Sequence, residues 1–222
     1  MTDPPYGAVV LVAGAIRYAL GVCASLTPGE MSRPTPCTQW DLGTLLAHLS
    51  ESMADLEAGL RTGQLGLAPA DPRDPSEPPQ TAPGDPVEIL RDRAAELLCA
   101  TYCSGTPGQF VTVGALPVPA GVVACTGAVE IAVHGWDVAA ARGCYCPIPA
   151  SLATRLLGLC PLLIAGREGL FAVPVEVPGQ ASPGDKLVGF LGRSPEHPRP
   201  AERWLLASSI SASSLPDGAK GG

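Results

Sequence analysis

Residues 128–140 read AVEIAVHGWDVAA, a proline-free stretch whose apolar residues recur at the three-and-four spacing of a helix. At 100° per residue, Val122, Val129, Val133, Trp136 and Ala140 form one apolar stripe. Glu130, His134 and Asp137 cluster within about 60° of one another on its flank. Glu130 and His134 stand one turn apart, with Cβ atoms about 6 Å from each other, so a carboxylate and an imidazole can grip one ion from the same face. A third ligand from another helix would complete a two-histidine, one-carboxylate set and leave a coordination position for water or substrate. The same spacing also arises in helices that bind nothing, and the pattern alone leaves both readings open.

The chain has three histidines, and a second one lies in a similar setting. His48 sits in DLGTLLAHLSES, residues 41–52. There Leu42, Leu45, Leu46, Leu49, Met53, Leu56 and Leu60 keep the period of one buried stripe. His48 is about 120° from its centre and shares that side with Asp41, Thr44, Ser52 and Asp55. An ordinary solvated histidine fits this position as well as a ligand does.

Three stretches decide between these readings: PTPCTQWDLGTLLAHL (34–49), AVEIAVHGWDVAAARG (128–143) and GLFAVPVEVPGQASPGDKLVGFLGR (169–193). In that order they resemble signature stretches of the actinobacterial DinB-like, mycothiol-dependent maleylpyruvate isomerase superfamily, over roughly residues 7 to 195. The resemblance implies a mainly α fold: a DinB-like four-helix bundle with a short β hairpin and a small C-terminal extension. It also implies that His48, Glu130 and His134 are the metal ligands. Two departures accompany it. Gly127 stands where some relatives carry a further histidine, so no fourth protein ligand is expected, and Glu130 stands where the family often has aspartate.

What the resemblance implies about function is a cytoplasmic enzyme with a divalent metal, zinc foremost. Mycothiol or a similar small thiol would be its co-substrate, transferred to an electrophilic small molecule or used to isomerise one. A thiol-independent Lewis-acid cyclase, lyase or hydrolase of specialised metabolism is the alternative, and a non-catalytic metal-binding protein is another. Asp137, three residues after His134, is the candidate to accept the free ring N–H and fix the tautomer, although a surface aspartate fits the spacing too.

Composition narrows the classes. The chain of 222 residues is 46% hydrophobic and 5% aromatic, with a net charge of −7. That suits one core and argues against a nucleic-acid partner. The apolar N-terminal run GAVVLVAGAIRYALGVCASL is preceded by Asp3 and interrupted by Arg17, so it is read as the first bundle helix rather than a signal or membrane span. Monomer and homodimer are both compatible with these features. The eight cysteines are expected to be reduced; Cys99 with Cys103 and Cys144 with Cys146 lack a partner pair at zinc-finger spacing and are read as core or loop thiols. Glycine-rich phosphate motifs and a G-x-S-x-G nucleophile are absent. Trp40 and Trp136 could wall a pocket, but as helix-stripe aromatics they fit the core better. Arg17, Arg142 and Arg167 are unranked candidates for holding an anionic substrate.

The remaining pattern predicts helices over about 7–26, from Thr38 or Asp41 to Arg61, from Asp85-Pro86-Val87-Glu88 onward, from Pro119 to Gly143, and over 150–165. QFVTVGALPVPAG alternates like a hairpin, and Ser182-Pro183-Gly184-Asp185 starts a last helix. A proline-rich loop, 66–84, is read as a flap or cover. Residues 1–195 are read as one metal-binding helical domain and 196–222, with His197, as a flexible tail.

Overall fold

The helices begin where short polar side chains can satisfy their first free N–H groups. Asp41 accepts from the Thr44 N–H at 2.8 Å and opens α2, Leu42–Thr62. Asp85 accepts from Val87 and opens α3, Pro86–Cys103, with Pro86 in its first turn. In a computed structural model describing residues 6–37, 40–66, 84–104, 108–163 and 172–195, α1 spans Tyr6–Cys23. It ends three residues short of the predicted boundary, and a 3₁₀ turn, Pro28–Glu30, follows. The main hairpin pairs β2, Phe110–Val113, with β3, Leu116–Pro119, and β3 leads directly into α4, Ala120–Ala141. A two-residue strand β1, Gln64–Leu65, adds to β2 in parallel, an element too short to show any alternation in sequence.

The protein is mainly α, a DinB-like bundle. Helix α1 packs on α4 and α3, and α2 packs on α3 and α4, so the four close a ring around one core. All seven residues of the predicted α2 stripe are buried, and each fully buried leucine contributes about 2 kcal/mol relative to exposure.

Helix α4 differs from the amphipathic reading. Every residue from Ile131 to Ala140 is buried, whereas Val122, at the outer end of the predicted stripe, is exposed. The cause is side-chain size: alanines, valines and glycines let neighbours approach from all sides. A Cβ at Gly135 would lie 3.1 Å from the Ala19 Cα on α1. Among the described residues α4 is also the one helix long and apolar enough to cross a membrane by composition, and its place at the centre of the bundle accounts for that hydropathy. His134 and Asp137 therefore point into an interface, and Glu130 stands at its partly exposed edge.

After α4, helix α5 spans Ala150–Leu163 and α6 spans Pro183–Phe190, capped by Ser182, which accepts from the Asp185 N–H. Helix α6 packs on α5, and α5 on α4 and α1. Residues 172–177 carry no regular secondary structure, and the Val175 N–H bonds the Gly189 carbonyl. Residues 67–83 of the predicted proline-rich loop, Arg167 and the segment 196–222 lie outside the described residues.

Candidate metal centre

Helices α2 and α4 bring the three predicted ligands together. One nitrogen of each histidine and one Glu130 oxygen lie within 4.8 Å of one another. His48 Nε2 is 3.3 Å from Glu130 Oε1. Ser52, one turn after His48, donates to that same oxygen at 2.7 Å and lies 3.5 Å from His48 Nε2. The site is closed on one side and open on the other: the His134 side chain is 8% exposed, against 34% for His48 and 29% for Glu130. Trp40 lies beside both imidazoles, its ring centroid 4.5 Å from that of His48 and 6.3 Å from that of His134. It is half-buried, packed against the core on one side and beside the two imidazoles on the other, so both readings of this residue hold. Trp136 is buried as expected.

Behind His134 lies a second layer. Asp137 is fully buried, and its Oδ2 accepts from His134 Nδ1 at 3.0 Å. With Nδ1 so occupied, Nε2 is the nitrogen left for an ion. Arg193, at the end of the C-terminal segment, donates through one terminal nitrogen to Asp137 Oδ2 at 2.9 Å and through Nε to Oδ1 at 3.3 Å. The Cys37 thiol, in the loop before α2, donates to Oδ2 at 3.6 Å, and Arg193 reaches its sulfur at 3.5 Å.

The electrostatics follow from these contacts. Burial by itself would raise the Glu130 carboxyl, but the His48 hydrogen bond, the His134 charge and the Ser52 hydroxyl outweigh it and hold the group below the ordinary glutamate range. Asp137 is likewise raised by burial and brought lower still by the His134 hydrogen bond and the Arg193 guanidinium. Cys37 goes the other way. Burial and the Asp137 charge push its thiol up to about 11, and Arg193 offsets this only in part.

Cys37, His134 and Asp137 form a second group with ligand atoms close together. Arg193 already supplies the positive charge there, touching both the sulfur and the carboxylate, so the open His48–Glu130–His134 set is the better cation site. A Cβ on Gly127 would stand 2.4 Å from Leu56 Cδ1, so a larger residue at position 127 would have to displace the end of that leucine side chain.

Comparison with known proteins places the chain in a family. The sequence profile described as the mycothiol maleylpyruvate isomerase N-terminal domain matches residues 12–139, more than half of the chain and all three predicted ligands. The chain belongs to that family, which is DinB-like. Two relatives, uncharacterized proteins of Mycobacterium tuberculosis strains CDC 1551 / Oshkosh and H37Rv, are each 26% identical over 178 residues, 77% of this chain and 89% of theirs. No solved structure gives a significant match. The family match stops before Arg193.

Sequence reasoning did not single out Cys37 or Arg193. Both stand inside the quoted stretches, at 37 and at the last position of the third, but their meeting at Asp137 spans 100 and 56 residues. Of the other arginines, Arg142 is spent on structure: it bonds the Val22 and Ser25 carbonyls and Glu30 Oε1, tying the end of α4 to the turn after α1. Arg17 lines a surface groove between α1 and α5 together with Arg155, away from the ligands.

Proposed function

We propose that this protein is a cytoplasmic, metal-dependent enzyme in which His48, Glu130 and His134 hold one divalent ion of the zinc class. A low-molecular-weight thiol such as mycothiol is its co-substrate, transferred to an electrophilic small molecule or used to isomerise one by reversible addition. The observation that carries the reading is the convergence of two imidazoles and one carboxylate from α2 and α4 with one side open. The donor set suits the ion: nitrogen and oxygen ligands of borderline hardness, three in number, as in catalytic rather than structural sites. When bound, such an ion lowers the pKa of a thiol beside it and polarises a carbonyl.

The chain's own residues prepare that site. Ser52 orients the Glu130 carboxylate, and Asp137 retains the His134 Nδ1 proton so that Nε2 faces outward as a lone pair. Trp40 stands beside both imidazoles. Cys37 is turned to Asp137 and kept protonated near neutral pH, so the thiolate is supplied from outside rather than by the protein. The family name, which couples mycothiol to an isomerisation, supports the same co-substrate.

Cobalt substitution tests the thiol directly. Adding a small thiol to the cobalt protein should give a sulfur-to-metal charge-transfer band, lost in His48→Ala and His134→Ala, and turnover of an electrophile should require the thiol. Metal-dependent turnover in thoroughly thiol-free buffer would reject the thiol and leave a Lewis-acid cyclase, lyase or hydrolase. No turnover over a broad panel of thiols and metabolites would leave a metal-binding protein.

A further inference from the structure

Arg193 is delivered to the site with more structural provision than a surface arginine receives. Its side chain is 12% exposed, and one terminal nitrogen is fixed on the Leu191 carbonyl at 2.9 Å. Its backbone N–H bonds the Val188 carbonyl at 2.9 Å. Gly192 just before it has φ +83°, and a Cβ there would lie 2.6 Å from the Ala172 Cβ and 2.9 Å from its carbonyl carbon. Only glycine makes this turn off α6 at low cost. Leu187, Val188 and Leu191 are buried around it, so the guanidinium is aimed by a packed element.

Its target is the one carboxylate behind the candidate ligands. Asp137 Oδ2 receives His134, Cys37 and Arg193, while Arg193 is the donor to Oδ1. Removing the arginine would strip Oδ1 of that bond and leave a fully buried carboxylate free to turn about its side-chain torsions. The imidazole it holds would turn with it.

We infer that Arg193 is a positioning residue: its two-pronged grip on Asp137 fixes the carboxylate that orients the His134 ring, so docking of segment 172–195 sets the metal affinity of a centre built on α2 and α4. The affinity part rests on the proposed metal reading; the ring orientation does not. Partners behind metal ligands typically control affinity about 10- to 100-fold. A lysine cannot replace the fork, since an ammonium is a point charge without two parallel donors.

The test uses full-length Arg193→Met and Arg193→Lys, with circular dichroism to confirm folding. Zinc affinity is read by competition with a chromophoric chelator. The His134 tautomer is read by ¹⁵N NMR of metal-free protein at about pH 8, above the ordinary imidazole range. The wild type should hold the proton on Nδ1. Both variants should bind zinc more weakly, Arg193→Met by about 10-fold or more, and both should show a mixed tautomer. Arg193→Met combined with Asp137→Asn should bind no more weakly than Asp137→Asn alone, because the arginine acts through the carboxylate. Wild-type affinity and tautomer in either folded variant, or additive losses in the double variant, would overturn the inference. Should Arg193→Met not fold, Arg193→Lys, which keeps the buried positive charge, carries the test. A wild type that binds no zinc would reject the proposed function, and the tautomer in Arg193→Lys would still decide the arginine's role: mixed supports it, unchanged overturns it.

Discussion

Asp137 has no solvent exposure, and its charge is balanced by Arg193. Replacing it with asparagine keeps the shape but leaves a buried guanidinium uncompensated, a change that costs about 3 kcal/mol near neutral pH. The pH dependence has a definite sign. Because the folded protein holds this carboxyl below its ordinary value, its contribution is complete above the ordinary aspartate pKa of about 4 and drains as pH falls through the folded value. Urea unfolding of wild type and Asp137→Asn should therefore show a gap that narrows as pH falls below about 4. An equal gap at pH 7 and pH 3 would contradict the pairing. At this scale the sequence was readable where partners share a helix: His134 stands about one turn from Glu130 and from Asp137, and helical spacing alone puts it beside each. Cys37 and Arg193 were not, because no local rule relates a residue to one 56 or 100 positions away.

Helix α2 separates stability from chemistry on its two faces, since Leu49 is fully buried while its neighbour His48 is partly exposed beside Glu130. Leu49→Ala should lower unfolding free energy by about 2–5 kcal/mol through the cavity it leaves, yet retain bound metal in the folded protein. His48→Ala should do the reverse, losing the metal with a smaller change in metal-free stability. Parallel urea melts and elemental analysis check the pair, and metal loss in both with equal destabilisation would show that the two faces are not independent. The caps at Asp41, Asp85 and Ser182 and the α2 stripe were legible because each is a local pattern with one structural solution. Helix α4 was legible as a helix but not in its burial. A helical wheel assumes one wet face, and small residues such as Gly135 and Ala139 let α4 be enclosed on all sides.

For the molecule as a whole, the period-3.6 segments and family-like stretches together specified a mainly α bundle, and the structure has that architecture. What composition could not convey is the reach of the C-terminal segment, whose α6 rests on α5 while its Arg193 closes the layer behind the centre. Two truncations follow from this. Deleting residues 197–222, a stretch rich in serine, proline and glycine, should leave melting temperature and metal content unchanged, whereas a cut that also removes Arg193 should lose metal affinity. A large drop in melting temperature for the shorter deletion would show that Trp204-Leu205-Leu206 docks on the bundle. The central claim is that His48, Glu130 and His134 hold a metal. Elemental analysis of the purified chain tests it most directly: the wild type should carry about one divalent ion, zinc foremost, and each of His48→Ala, Glu130→Ala and His134→Ala should carry far less. Metal content unchanged in all three variants would contradict the account.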